Sequence, residues 1–277
     1  MHGEAETGTM ALDEAGLRLA VLTPGSIWSA LDVVAQTGST NEDLLAAARA
    51  GSAQGAVLVA EDQTRGRGRQ GRTWASRPGA ALTFSVLLRP VAVPAAARGW
   101  LPLLTGVALS RALRATTGID AVLKWPNDVL AGEAKLAGIL AEQAGDAIVV
   151  GLGVNVGAVP DGLSGARAGA LPATSLAGLG VRADRGALLV GVLQELEHWY
   201  RRWIAPAPGD ADGGGLRAEY LRWCSTIGRD LRVQLPGGNE LAGVASGIDR
   251  AGRLLVQTAA GVTAVSAGDV IHVRSPA

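Results

Sequence analysis

The 277-residue chain is poor in the residues that most covalent and metal chemistry requires. It has one cysteine, Cys224, which excludes an internal disulfide and any multi-cysteine zinc site. Cys224 reads as a small buried side chain on an amphipathic helix, not as a reactive thiol. The three histidines, His2, His198 and His272, are scattered and have no metal-ligand spacing, so neither zinc hydrolysis nor a histidine-activated nucleophile finds support. Net charge is also lacking: 25 basic residues balance 25 acidic ones, whereas a dedicated nucleic-acid binder usually carries a basic surplus. No run approaches the roughly 18 apolar residues needed to span a bilayer, and the first thirty residues lack a basic stretch followed by an apolar one. These absences point to a soluble, cytoplasmic protein that contacts neither membrane nor DNA.

What is present is apolar material, 48% of residues against 18% charged, enough for one large domain or two unequal ones. Against that background "QTRGRGRQGRTW", 63–74, stands out, with four arginines and three glycines and no acidic residue. Gly66, Gly68 and Gly71 spell G-x-G-x-x-G, but a dinucleotide turn requires a helix starting at the third glycine. Here Pro78 and Gly79 break the chain before an alternating run that reads as a strand, so a Rossmann turn is rejected. An Arg/Gly segment that coats RNA and a loop that closes over a small anion remain.

Periodicity predicts a frayed tail and a short helix over 1–25, a strand at "SALDVVAQ", and a helix at "STNEDLLAAARAG" opened by a Ser39–Glu42 capping box. Strands follow at "GAVLVAEDQ" and "LTFSVLLRP", then a long helix over "WLPLLTGVALSRALRATTG". Two strands joined by a tight turn are predicted over 121–143, and one more at "AIVVGLGVNV". Segment 157–173 has the composition of a mobile loop. From Asp184, Leu188, Leu189, Val192, Leu193, Leu196, Trp199, Tyr200 and Trp203 share one helical face, "APAPGDADGGG" interrupts, and a shorter helix covers "LRAEYLRWC". Beyond Ser225, five short strands at regular spacing predict a small β-barrel.

Several polar residues are not explained by packing. Ser39, Thr40 and Asn41 sit where a strand turns into a helix; capping accounts for one or two of them, and three suit a polar, uncharged ligand head. In "KWPNDVL", Pro126 forbids a helix, so Lys124, Asn127 and Asp128 project from a strand end or turn. Asp128 then either closes an Asx-turn or serves magnesium and nucleotide phosphate. Lys135 opens the returning strand near the same region. The glycines of "GLGVNVG" thin one strand face enough for a flat ligand, with Asn155 the polar side chain there.

Taken in order, "STN", "GRGRQGRTW", "KWPNDVL" with "KLAGIL", and "GLGVNV", followed by a small C-terminal barrel, closely resemble the biotin protein ligase family from about Leu31 to the C-terminus. The resemblance implies an α+β fold: a central mixed sheet in a synthetase-like catalytic domain, 26–224, after a flexible tail, 1–25, and before an SH3-like barrel, 225–277. It implies formation of biotinyl-5'-AMP from biotin and ATP with Mg²⁺. The biotinyl group then moves to a lysine of a biotin carboxyl carrier domain of an acetyl-CoA, acyl-CoA or pyruvate carboxylase. By resemblance Ser39, Thr40, Asn41, Gln63, Gly66, Arg67, Lys135 and Gly138 bind biotin, with Lys135 and Arg67 catalytic. Arg69, Arg72, Trp74, Asn127 and Asn155 hold ATP or the adenylate, and Asp128 holds the metal. A lipoate ligase of the same fold is the alternative. Arg65 stands where the family usually has a small residue, and Arg232 is a candidate to reach the site from the barrel. The residues before the first core strand are too few for the winged helix of repressor-type members, so a ligase without DNA binding, monomeric or weakly dimeric, is expected.

Overall fold

The computed structural model describes residues 11–159, 171–205, 215–235, 238–266 and 268–272. The short helix expected within 1–25 is present. Helix α1, Glu14–Val21, is capped by Asp13, whose side chain accepts from Gly16 N, and it buries Leu17 and Val21 in the main core. Residues 1–10 lie outside the described residues, as do 160–170 of the predicted mobile loop and most of "APAPGDADGGG".

The first sheet has seven strands among the described residues: β1 (Ala30–Thr37), β2 (Ala56–Gln63), β3 (Ala81–Leu88), β4 (Ala121–Lys124), β5 (Asp128–Ala131), β6 (Ala134–Ala144) and β7 (Ala147–Asn155). Their order is β1-β2-β3-β7-β6-β5-β4; β1 and β2 are parallel and the other pairs antiparallel, so the sheet is mixed. Three strands, not two, cover 121–144. The tight turn expected before the strand that holds Lys135 is there, at Gly132 (φ 58°), and the third strand arises because the turn at 125–127 divides β4 from β5.

Helix α2 (Thr40–Arg49) covers one face, and α3 (Trp100–Thr117) packs with α4 (Arg185–Ile204) on the other. Every residue of β3 is buried. Leu82, Phe84, Val86 and Leu88 join the large core, and Leu87 joins the small cluster with Leu44, Leu45 and Ala48 of α2. The apolar face predicted from Asp184 is buried throughout. The capping box does not form: Ser39 holds the N-cap position, but its side chain makes no cap hydrogen bond, and Glu42 turns to arginines instead.

Helix α5 (Leu216–Trp223) leads to β8 (Asp230–Gln234), β9 (Glu240–Ile248), β10 (Leu254–Thr258), β11 (Gly261–Val265) and β12 (Asp269–His272). They form a separate antiparallel sheet of order β11-β10-β9-β8-β12. No pairing of β11 with β12 closes it among the described residues, so the predicted barrel is an open sheet here. It docks through indole donors: Trp100 Nε1 reaches Arg250 O at 3.1 Å and Trp125 Nε1 reaches Gly252 O at 3.1 Å. Gly99 and Gly252 meet so closely that a Cβ on Gly252 would stand 2.9 Å from Gly99 carbonyl atoms. Lys124 does not project into a site as read from sequence. It is buried and donates to Val270 O at 2.6 Å, and burial holds its pKa below the usual lysine value.

Candidate active site

The chain between β2 and β3 is folded into a small hairpin. Arg67 and Thr73 bridge antiparallel, and Trp74 N donates to Gly66 O at 2.9 Å and Gly68 N to Arg72 O at 2.7 Å. Gln70 (φ 56°) and Gly71 (φ 72°) make its tip. Gly66 is required there, since a Cβ would stand 2.4 Å from Trp74 O. A single 3-10 turn, Arg69–Gly71, ends at Gly71 and no helix follows it, consistent with rejection of a dinucleotide motif.

This hairpin folds over a cavity of about 110 Å³ bounded by the N-terminus of α2 and by β6 and β7. Ser39, Thr40, Asn41, Gln63, Arg67, Arg69, Arg72, Trp74, Asn127, Lys135 and Gly138, all singled out from sequence, line it. Gly66, Asp128 and Asn155 do not. Asn155 donates instead to Thr174 O at 2.9 Å and so anchors the chain beyond β7. The expected flat slot beside the glycines is occupied by the protein itself: a Cβ on Gly153 would come within 2.4 Å of the Trp74 indole, and one on Gly151 within 2.1 Å of Asn41 Oδ1. Trp74 Nε1 is buried there without a partner.

The floor is uncharged. Thr40 N donates to Gln63 Oε1 at 2.9 Å, and Thr40 Oγ1 meets Ser85 Oγ at 2.7 Å. The rim is cationic. Arg67 lies between Glu42 (3.3 Å) and Glu142 (3.4 Å), and Arg65 is 3.7 Å from Glu42. Arg72 pairs with Asp269 of β12. Arg69 donates to Asn127 Oδ1 at 3.2 Å; burial lowers its pKa, with Asp269 and Asp128 opposing. Asn127 is locked to β6, donating through Nδ2 to Ile139 O at 2.9 Å. Arg232, the candidate from the second sheet, lies 3.8 Å from Glu240 on its neighbouring strand.

Lys135 Nζ lies 2.6 Å from Asp128 Oδ1, an ion pair whose geometry leaves that oxygen without an aligned hydrogen-bond donor. Gly138 gives the lysine room, since a Cβ there would stand 3.3 Å from Nζ. Among the described residues no group of three or more His, Cys, Asp or Glu could hold a metal. The donors fit magnesium only as an ion carried on phosphate, with Asp128 and Asn127 as the protein oxygens.

An uncharged floor beside several guanidinium groups and one lysine suits a ligand with a polar neutral head and an anionic tail. Residues 33–157 match the biotin/lipoate A/B protein ligase family, and residues 226–273 match the biotin protein ligase C-terminal domain. A Mycobacterium tuberculosis protein named biotin--[acetyl-CoA-carboxylase] ligase is 46% identical over 268 residues, covering 95% of this chain and 96% of that one. The chain belongs to the biotin protein ligase family. Another relative, the bifunctional ligase/repressor BirA of Bacillus spizizenii, is 31% identical and is covered over 76% of its length. A biotin protein ligase from Aquifex aeolicus, solved in complex with biotin and ATP, superposes with a TM-score of 0.73 at 29% identity, covering 90% of this chain and 100% of that one.

In this biotin protein ligase family member, Ser85, Glu42 and Glu142 are the site residues that sequence reasoning missed. Ser85 sits inside an apolar strand run and Glu142 near the end of another, and neither carries a local signal. A polar residue at an inward position of a buried strand, Ser85 in "LTFSVLL", is the one hint available, since such a group needs a partner.

Proposed function

We propose that the protein is an ATP-dependent biotin ligase, which activates biotin as biotinyl-5'-AMP and transfers it to a lysine of a carrier protein. The observation that carries this reading is the meeting, in one cleft, of the uncharged Ser39–Thr40–Gln63 floor with Arg67, Arg69, Arg72 and Lys135.

In the first half-reaction the biotin carboxylate attacks the α-phosphate, forming an O–P bond and expelling pyrophosphate. Two anions must approach each other and negative charge grows on the transferring group, so fixed cations that displace water lower the barrier. Arg67 and Arg69 meet carboxylate and phosphate, and Lys135, seated by Asp128, donates to the oxygens at the reacting phosphorus. Arg72 and the Trp74 indole hold the nucleotide. Asp128 and Asn127 would be the protein oxygens facing a magnesium ion carried on the phosphates, and that ion would supply neutralising charge to the leaving pyrophosphate. In the second half-reaction the carrier lysine's neutral amine attacks the acyl carbon; the C–N bond forms, the C–O bond to phosphate breaks, and AMP leaves.

The carrier is a biotin carboxyl carrier domain, of an acetyl-CoA, acyl-CoA or pyruvate carboxylase. We read the C-terminal open sheet as SH3-like, the protein as cytoplasmic, and its solution state as monomeric or weakly dimeric. A lipoate ligase shares the fold, but lipoate's dithiolane offers nothing to Thr40 and Gln63, so the polar floor favours biotin. Purified protein given biotin, MgATP and a carrier domain is expected to release pyrophosphate and label the carrier. No label, or equal use of lipoate, overturns the reading.

A further inference from the structure

Beneath the cleft the polar groups form one hydrogen-bonded chain, and its partners fix a consistent set of proton directions. Asn41 Nδ2 donates to Leu140 O at 3.2 Å and to Glu142 Oε2 at 2.9 Å, so its amide orientation is set and Oδ1 must accept. Ser85 Oγ donates to that Oδ1 at 2.6 Å. With its one proton used, Ser85 can only accept in its 2.7 Å contact with Thr40, whose hydroxyl proton therefore points at Ser85. Thr40 Oγ1 also approaches Gln63 Oε1 at 3.1 Å, but the shorter, buried Ser85 contact takes the proton. Gln63 Oε1 is already held by Thr40 N, which leaves Gln63 Nε2 as a donor. The floor thus offers an acceptor, Thr40 Oγ1, beside a donor, Gln63 Nε2. That pair matches a ligand edge carrying N–H next to C=O, as a cyclic urea does.

Glu142 stands at the head of this chain and at the rim. One of its oxygens orients Asn41, and the other lies 3.4 Å from Arg67 Nη2. A half-exposed ion pair with Arg67 would contribute little by itself and gives no reason for the second oxygen to meet a buried amide. Ser85 is wholly buried, and neither it nor Glu142 lines the cavity, so both act through other residues.

We propose that Glu142, relayed through Asn41 and Ser85, is the positioning residue that sets the hydrogen-bond polarity of the biotin-head floor and so determines specificity for a urea edge. This rests on the biotin reading above. Removing the relay frees the Thr40 hydroxyl to rotate, so a ligand N–H loses an assured acceptor while the chemistry at Lys135 is untouched.

The test measures pyrophosphate release against biotin and ATP separately. Ser85→Ala and Glu142→Ala are each expected to raise KM for biotin about tenfold, the loss of about one hydrogen bond, with kcat and KM for ATP nearly unchanged. Glu142→Gln keeps an acceptor for Asn41 and is expected to restore KM for biotin. Because one relay is broken at two points, the double variant Ser85→Ala/Glu142→Ala should be no worse than the weaker single. An unchanged KM, effects that multiply in the double variant, or Glu142→Gln behaving as Glu142→Ala overturns the proposal. If Ser85→Ala folds poorly, the two Glu142 variants still decide it. A wild-type protein that releases no pyrophosphate with biotin sinks the ligase reading instead, which separates the two failures.

Discussion

The two sheets share one apolar core yet differ in what they can hold still. β3 is buried from Ala81 to Leu88 between β2 and β7, with helices on both faces, whereas the C-terminal sheet leaves Val244 and Val262 exposed at 39% and 58%. All of the uncharged floor is carried by the seven-stranded sheet and the first turn of α2. The five-stranded sheet contributes contacts at the rim: Asp269 to Arg72, and Gly268 O at 3.5 Å from Arg69. Donors and acceptors that must be placed to a fraction of an ångström sit on strands packed from both sides. Charges that act over longer distances sit on a hairpin braced by the second sheet.

The sharpest way to break this contrast is to hollow the central strand. Phe84→Ala, at a fully buried position, is expected to cost about 3–5 kcal/mol in denaturant unfolding, because it leaves a cavity beneath the floor. A loss below about 1 kcal/mol would mean the strand is not the rigid member of the pair. Next in size, Lys135→Ala is expected to slow pyrophosphate release on the order of 100–1,000-fold, with melting temperature changed little, since the lysine is partly exposed. Equal damage to melting and turnover would make Lys135 structural. The smallest effect belongs to the C-terminal sheet. His272 has its pKa lowered to about 4, first by burial and then by Lys124 and Arg229. A base whose pKa is lower folded than unfolded stabilises fully above the unfolded value, and that stability is lost as pH falls from about 6.5 toward about 4. Melting temperature should therefore rise with pH across that window, and His272→Gln should flatten the rise. An unaltered slope would show that groups other than His272 carry the pH dependence.

Much of the fold could be read along the chain because its elements carry strong periods. The α4 face from Leu188 to Trp203 and the five short strands after Ser225 match the helices and strands observed. The misreadings have physical causes. β4 and β5 read as one strand because the turn at 125–127, closed by the pairing of Lys124 with Asp128, is too short to interrupt the apolar pattern. Ser39–Glu42 spells a capping box, but Arg65 and Arg67, distant in sequence, draw Glu42 away. Asp128, the carboxylate expected to face a metal, also lies 2.6 Å from Lys135 Nζ across the β5–β6 pair, a pairing with no signal along the chain. In the site, cavity-lining residues with a motif were found, and Ser85 and Glu142, which act from behind them, were not.

By itself the sequence determined which residues are available: short motifs whose glycines, prolines and charges constrain the backbone locally, and a balance of 25 basic against 25 acidic residues. Only the tertiary structure decided how those residues pair. It placed Trp74 on Gly153, seated Lys124 in the second sheet, and threaded one line of hydrogen bonds from Gln63 to Glu142. The reason is that backbone conformation is set by neighbours along the chain, whereas the direction of a proton in a hydroxyl is set by partners that only folding brings within 3 Å.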